Sequence, residues 1–232
     1  MFFDKTIFKR IIFMFLLFLS VYFYRNYFQY NDHIEYFDVD ISNNVNLVDI
    51  IKKNGVQKDP QRNFNNSSCH VLSYYDISDH CHEYIDKFYN KEFIQRIKTI
   101  INETNLEFID PAIDPLGFAI HLYCKEDFMS YHFDTNFTLG TRYSIIIPLY
   151  INQENDCFLY IKDSKKIEKK IEIPVGKGIV YNGDKVLHKV CKQSPEGERI
   201  TLVINLTTKT QTNFIGKILQ KCRNYMFSEF TW

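Results

Sequence analysis

In the second half of the chain, apolar and polar residues alternate in short runs separated by turn residues. Phe118–Tyr123, Met129–Phe133, Tyr143–Ile151, Phe158–Lys162, Ile167–Ile173, Ile179–Asn182, Val186–Val190 and Ile200–Thr207 read as strands. Between them, Pro174-Val175-Gly176-Lys177-Gly178 and Asn182-Gly183-Asp184-Lys185 carry the residues that tight turns require. Eight short strands with turn-rich links predict a double-sheet jelly roll. Upstream the period lengthens. Tyr84, Phe88, Phe93, Ile94, Ile97, Ile100 and Ile101 recur at three- and four-residue spacing between Ser78 and Asn102. Ser78 and Asp79 are plausible N-caps, and Asn90-Lys91 breaks the pattern, so two helices are expected to cover one face of the sheet. The fold class is mainly β with an α component.

The first 26 residues follow a different rule. Ile11 to Tyr24 is apolar except for Ser20, with Lys5, Lys9 and Arg10 before it and Arg25 after. As a helix that run spans only about 21 Å, against a hydrocarbon core of roughly 30 Å. Counting from Ile7, with Lys9 and Arg10 snorkelling, gives about 27 Å, enough for a thin bilayer. A cleaved signal peptide is the competing reading, but Val21-Tyr22-Phe23-Tyr24 is bulky where a peptidase wants small residues. An uncleaved signal anchor is therefore expected. It would be single-pass, with the N-terminus cytosolic and the domain lumenal or extracellular, because the basic residues precede it. Residues 27–67 read as a linker and lead-in, in which Val45 to Ile51 could form a short element. The domain is expected over 68–208 and a short tail helix within 209–232, on Phe214, Ile215, Ile218, Leu219 and Cys222.

Composition narrows the classes further. With 232 residues, 45% of them hydrophobic and 16% aromatic, the chain can bury a full core. Its 28 basic and 28 acidic residues cancel, so no global charge points to nucleic acid as a partner. Six cysteines scattered singly make no disulfide framework, although Cys69 and Cys81 could pair in an oxidising compartment. Cys69-His70 and His80-Cys81-His82 match no closed tetrahedral zinc spacing. Sequons at Asn65, Asn66, Asn102, Asn136 and Asn205 matter only if the domain is lumenal.

The chemistry lies between Tyr131 and Arg199. His132 and Asp134 are two apart in a strand and so face the same way, while His188 can approach from another strand. Two His and one carboxylate on one face of Fe(II) leave positions open for a co-substrate and O2. A His-x-Asp pair alone is common at strand ends, and a single His in an apolar strand is more often a core residue. What raises them above that reading is Arg199, a cation suited to a bidentate carboxylate. Tyr131, Asn136 and Arg142 lie near the ligands in sequence. They could line a substrate mouth, although the stronger reading makes Tyr131 a packed aromatic and Arg142 a strand-edge charge.

With these residues in this order, the chain resembles the 2-oxoglutarate and Fe(II)-dependent oxygenases over about residues 115–208. Tyr123, His132-x-Asp134, Gly140-x-Arg142 and Tyr150-Ile151-Asn152 are similar to the prolyl 4-hydroxylase-like branch. The resemblance implies a double-stranded β-helix with supporting N-terminal helices. It implies Fe(II) on His132, Asp134 and His188, and 2-oxoglutarate held by Arg199, Thr201 and Tyr123, with ascorbate as an optional auxiliary. Two features depart from it. His188 and Arg199 are eleven residues apart, slightly more than is usual, so Lys189 or Lys192 could take the place of Arg199. The family's Gly-Gly-x-Leu is here Asp156-Cys157-Phe158-Leu159, which counts against a prolyl substrate. A protein, lipid or small-molecule substrate all stay open. So do a non-catalytic jelly-roll binding module and a cupin-like metalloenzyme that does not use 2-oxoglutarate.

Overall fold

A computed structural model of the chain describes residues 31–41, 46–58, 67–212 and 216–217. The expected signal anchor at 1–26 and most of the tail at 209–232 lie outside them. Among the described residues no helix is long and apolar enough to cross a membrane.

Two antiparallel sheets make the core. The strands are β1 (Ile34–Asp38), β2 (Val56–Gln57), β3 (Ser67–Ser68), β4 (His70–Leu72), β5 (Glu107–Phe108), β6 (Phe118–Cys124), β7 (Phe128–His132), β8 (Arg142–Ile151), β9 (Leu159–Lys162), β10 (Glu168–Ile171), β11 (Lys177–Asn182), β12 (Leu187–Val190) and β13 (Glu198–Thr207). The larger sheet runs β1-β11-β8-β13-β6-β4-β2, with β5 also on β13, and the smaller runs β10-β9-β12-β7-β3. Each of the eight expected strands is present, with its bounds moved by a residue or two.

Burial explains the two kinds of strand sequence. Every residue of β6 is buried, and β8 is buried from Ser144 to Leu149, because the large sheet is covered on both faces. On one face lie the helices, packed over Leu122, Ile145, Ile147, Ile200 and Leu202. On the other, Ala119, Tyr123, Ile146 and Ile179 meet Met129, Leu159, Ile161 and Val190 of the small sheet. The small sheet's far side is open to solvent, so β9 alternates buried Leu159 and Ile161 with half-buried Tyr160 and Lys162. Pro148, in the middle of β8, cannot donate to a ladder. It sits where the β8–β13 register shifts between Ile200 and Thr201, and β11 pairs with β8 only from Tyr143 to Ile146.

Three helices, not two, precede the main strands: α2 (Tyr74–His80), α3 (His82–Phe88) and α4 (Lys91–Ile101), after an earlier α1 (Leu47–Asn54). The N-cap is Ser73 rather than Ser78 or Asp79. Its hydroxyl accepts from Asp76 N at 3.4 Å while Asp76 Oδ2 accepts from Ser73 N at 2.8 Å, a reciprocal capping box. The expected break at Asn90 is present. There the side chain caps α4 by accepting from Phe93 N at 2.8 Å, and Asn102 ends that helix in the left-handed region at φ 52°.

The segment expected as linker and lead-in contributes to the sheets. β1 pairs with β11 over five residues, and α1 buries Leu47 and Ile51 against the helix layer. Phe37 of β1 lies over Gly178, where an added Cβ would come within 2.5 Å of the ring's Cζ, and meets Phe93 of α4 edge-on at 6.4 Å. Phe37→Ala should therefore cost about 3 kcal/mol, as for a buried core aromatic. Equilibrium urea unfolding of the full chain measures it, and a tether residue at that position would cost nothing.

Candidate metal centre

The site is built by strand register. β12 pairs with β7 so that His188 stands directly opposite His132. Cross-strand partners project to the same face, and the two imidazole centroids are 4.2 Å apart. Asp134, two residues beyond His132, turns its carboxylate between them, with Oδ1 3.7 Å from the Nε2 of each ring. One donor atom from each of the three lies within 4.8 Å of the other two. The structure brings all three sequence-predicted ligands together.

Both rings are oriented the same way. His132 Nδ1 is 2.8 Å from Ser130 O, and His188 Nδ1 is 2.9 Å from Val186 O. A carbonyl can only accept, so each Nδ1 carries a proton and each ring turns its Nε2 toward Asp134. Burial, then the neighbouring His188, hold the His132 pKa well below the ordinary imidazole range, which keeps it in the neutral, metal-binding form. Burial alone would raise Asp134. The two imidazoles, the Arg142 guanidinium and a hydrogen bond from Ser144 outweigh that and hold it below the ordinary carboxylate value.

Around these three is a shell of ordinary strand residues that the sequence did not single out. The Ser144 hydroxyl donates to Asp134 Oδ2 and lies 2.9 Å from the Asn205 side-chain oxygen. Asp134 N donates to Gly183 O at 3.0 Å. A Cβ at Gly183 would lie 2.9 Å from Asp134 Oδ2 and closer still to the Ser144 hydroxyl, so only glycine fits there. Tyr181, buried in β11, brings its hydroxyl to 3.2 Å from His188 Nε2. The Asn-Gly pair of the β11–β12 turn was the one sequence signal for any of these.

Arg142 is not a strand-edge charge. It is 5% exposed, pairs with buried Asp114 at 3.2 Å, and donates to Thr135 O at 2.6 Å, bracing the chain just after Asp134. Tyr131 lies on the outer face of the small sheet, with Lys162 4.2 Å and Lys189 4.9 Å from its ring, so it does not line the site. Asn136 donates to Gly140 O at 2.7 Å and to Asp184 Oδ2 at 2.8 Å, which makes it a loop fastener. Asn205 is buried against Ser144 and Arg142, so its sequon is closed in the folded chain.

The proposed co-substrate residues form a patch on the inner face of the large sheet. Arg199 pairs across strands with Tyr123, and Thr201 with His121. All four are buried, and His121 Nδ1 lies 3.4 Å from the Tyr123 hydroxyl. Arg199 donates one bond, to Cys157 O at 3.0 Å, while its Nε and the Thr201 hydroxyl are buried with no partner. Orphaned donors of this kind cost about 1–3 kcal/mol each and call for an acceptor. A carboxylate is the fitting one. The two lysines weighed as substitutes are engaged elsewhere, Lys189 with Glu168 and Lys192 with Glu126, each at 2.9 Å. The Cys69–Cys81 pairing that the sequence left open is absent. Both are buried free thiols, Cys69 between the sheets and Cys81 in the helix layer.

No protein-family model matches this chain, and no curated protein matches it in sequence. Solved structures do match. An oxidoreductase of the 2OG-Fe(II) oxygenase family from Burkholderia pseudomallei superposes at TM-score 0.53 and 12% identity, over 72% of this chain and 80% of its own. AviO1 from Streptomyces viridochromogenes Tue57 superposes at 0.53 and 10% identity, over 80% and 95% respectively. A prolyl-4-hydroxylase from Pseudomonas putida is similar at TM-score 0.45 and 17% identity, over 62% and 73%. The Burkholderia match gives the fold as the jelly roll of a 2OG-Fe(II) oxygenase, and here it carries a partly buried two-His, one-Asp cluster.

The shell can be tested apart from the ligands. Ser144→Ala removes the hydroxyl that orients Asp134, and Gly183→Ala pushes on it. Each should weaken binding of Fe(II), or of Mn(II) as a stable surrogate, by about 10- to 100-fold in titration calorimetry.

Proposed function

We propose that this chain is a 2-oxoglutarate- and Fe(II)-dependent oxygenase that hydroxylates a substrate. One observation carries the reading. Beside a closed His132–Asp134–His188 donor set, a buried guanidinium and a buried hydroxyl lack the acceptor that a diacid would bring. The donor set fits ferrous iron, being two imidazoles and one carboxylate held on one face. The fold, shared with 2OG-Fe(II) oxygenases, supports the same reading.

In this reading the chain's own residues do the positioning. His132 and His188 keep their Nδ1 protons on backbone carbonyls and offer Nε2, while Asp134 is aimed by the Ser144 hydroxyl that donates to its carboxylate and by the Gly183 carbonyl that accepts from its backbone N–H. Arg199 and Thr201 take the far carboxylate of 2-oxoglutarate, with Tyr123 beside them. Ile146, Ile179, Val186 and Val190 belong to the same buried apolar cluster as Tyr123 and Tyr181. Bound Fe(II) and 2-oxoglutarate supply the oxidising chemistry, with O2 consumed and succinate and CO2 released. Ascorbate would serve only to keep the iron reduced.

We further propose that residues 1–26 anchor the chain in a membrane with the domain lumenal or extracellular, on the strength of the apolar run and its basic flank. Protein, lipid and small-molecule substrates all remain within this proposal, and no nucleic-acid partner is expected. The motif order still resembles the prolyl 4-hydroxylase-like branch, while Asp156-Cys157-Phe158-Leu159 departs from it.

The test is succinate formation by the full chain with Fe(II), O2 and 2-oxoglutarate. His132→Ala should abolish it. Arg199→Ala should raise the dissociation constant for 2-oxoglutarate at least tenfold while leaving metal affinity unchanged, since Arg199 touches the diacid and not the ion. Unaltered 2-oxoglutarate binding in that variant would favour a cupin-like enzyme, and no turnover by the wild type would favour a binding module.

A further inference from the structure

His70, half-buried in β4, is paired in register with Leu122 of β6, so its ring lies on the helix-covered side of the large sheet. Cys124 is two residues beyond Leu122 and shares that side, whereas Tyr123 between them faces the metal centre. Immediately after Cys124 the chain turns sharply. Lys125 and Glu126 both take positive φ, 45° and 73°, and this folds Asp127 back so that its Oδ2 accepts from Cys124 N at 3.0 Å. An imidazole nitrogen, a thiol sulfur and a carboxylate oxygen from His70, Cys124 and Asp127 come within 4.8 Å of one another.

Two features separate this cluster from a chance meeting of polar groups. His70 Nδ1 is buried and has no hydrogen-bond partner, which a folded chain tolerates poorly. The Asp127 carboxylate is already aimed: Ser68 donates to Oδ1, Gln57 reaches the same oxygen at 3.4 Å, and the Cys124 amide holds Oδ2. Outer hydrogen bonds of this kind orient ligating carboxylates. The Lys52 ammonium, whose charge is felt at both Cys124 and His70, is drawn to Glu198 at 2.9 Å.

We propose that His70, Cys124 and Asp127 are a second divalent-metal site, of the zinc and cobalt class, separate from the His132–Asp134–His188 centre. One nitrogen, one sulfur and one oxygen donor suit a borderline-soft, tetrahedral ion better than iron(II) or magnesium, with water as the fourth ligand. On binding, the Cys124 S–H bond breaks, its proton leaves to solvent and a sulfur–metal bond forms. The ion ties β4, the end of β6 and the β6–β7 turn together. Spacing in the sequence hides the site, since its members come from positions 70, 124 and 127.

Cobalt(II) titration of the metal-stripped full chain tests it, because only a thiolate ligand gives the intense near-ultraviolet sulfur-to-cobalt band. The band should appear in the wild type, persist in His132→Ala and vanish in Cys124→Ser. His70→Gln and Asp127→Asn should weaken the cobalt affinity read from that band tenfold or more. Zinc should raise the melting temperature of His132→Ala but not that of the His132→Ala/His70→Gln double variant. No band in the wild type, a band surviving Cys124→Ser, or unchanged affinity in His70→Gln would each overturn the proposal. The last arm decides if Cys124→Ser does not fold.

Discussion

The pairing of β12 with β7 is the constraint on which the site depends. Side chains in a strand alternate between faces, so a slip of one residue would turn His188 out to solvent and bring Leu187 or Lys189 inward. What prevents the slip is apolar burial on the same strands. Val190 packs between the sheets with Met129, Leu159 and Ile161, while Lys189 is held on the outside by Glu168. The hydrophobic pattern that makes the small sheet one-sided therefore also sets the geometry of the polar cluster. Fold and site are here one piece of information.

That coupling explains how much could be read in advance. The main strands other than β10 are legible because each has buried residues on at least one face and a turn at its end, while β10 buries none of its four residues. The three ligands are legible because residue type and spacing both restrict them. Ser144, Tyr181, Asn205 and His121 are invisible because their types are ordinary in strands, and only tertiary packing turns them inward. Arg142 misleads for a related reason. Its partner Asp114 is 28 positions away, and nothing local announces that the pair will be buried.

The N-terminal part shows the opposite failure. β1 carries Glu35 and Asp38 in five residues, as an edge strand tolerates, and so it lacks the apolar run that marks an interior strand. α2 starts at Ser73, ahead of Tyr74 and Tyr75, before the helical period is long enough to notice. Each error placed the start of ordered structure too late. Pairing onto β11 and a helix cap do for these elements what long hydrophobic patterns do for the later ones.

An earlier start changes the mechanical picture. Asn31 N already donates to Lys185 O at 3.0 Å, on the same turn whose Gly183 carbonyl holds Asp134. With the proposed anchor ending at 26, only residues 27–30 separate the bilayer from this attachment, a leash of at most roughly 18 Å even fully extended. Under that arrangement the domain does not sample the compartment on a long tether. In that proposed anchored form it would ride close against the lipid, fastened beside its own metal centre, with headgroups and the juxtamembrane parts of neighbouring proteins as its nearest surroundings.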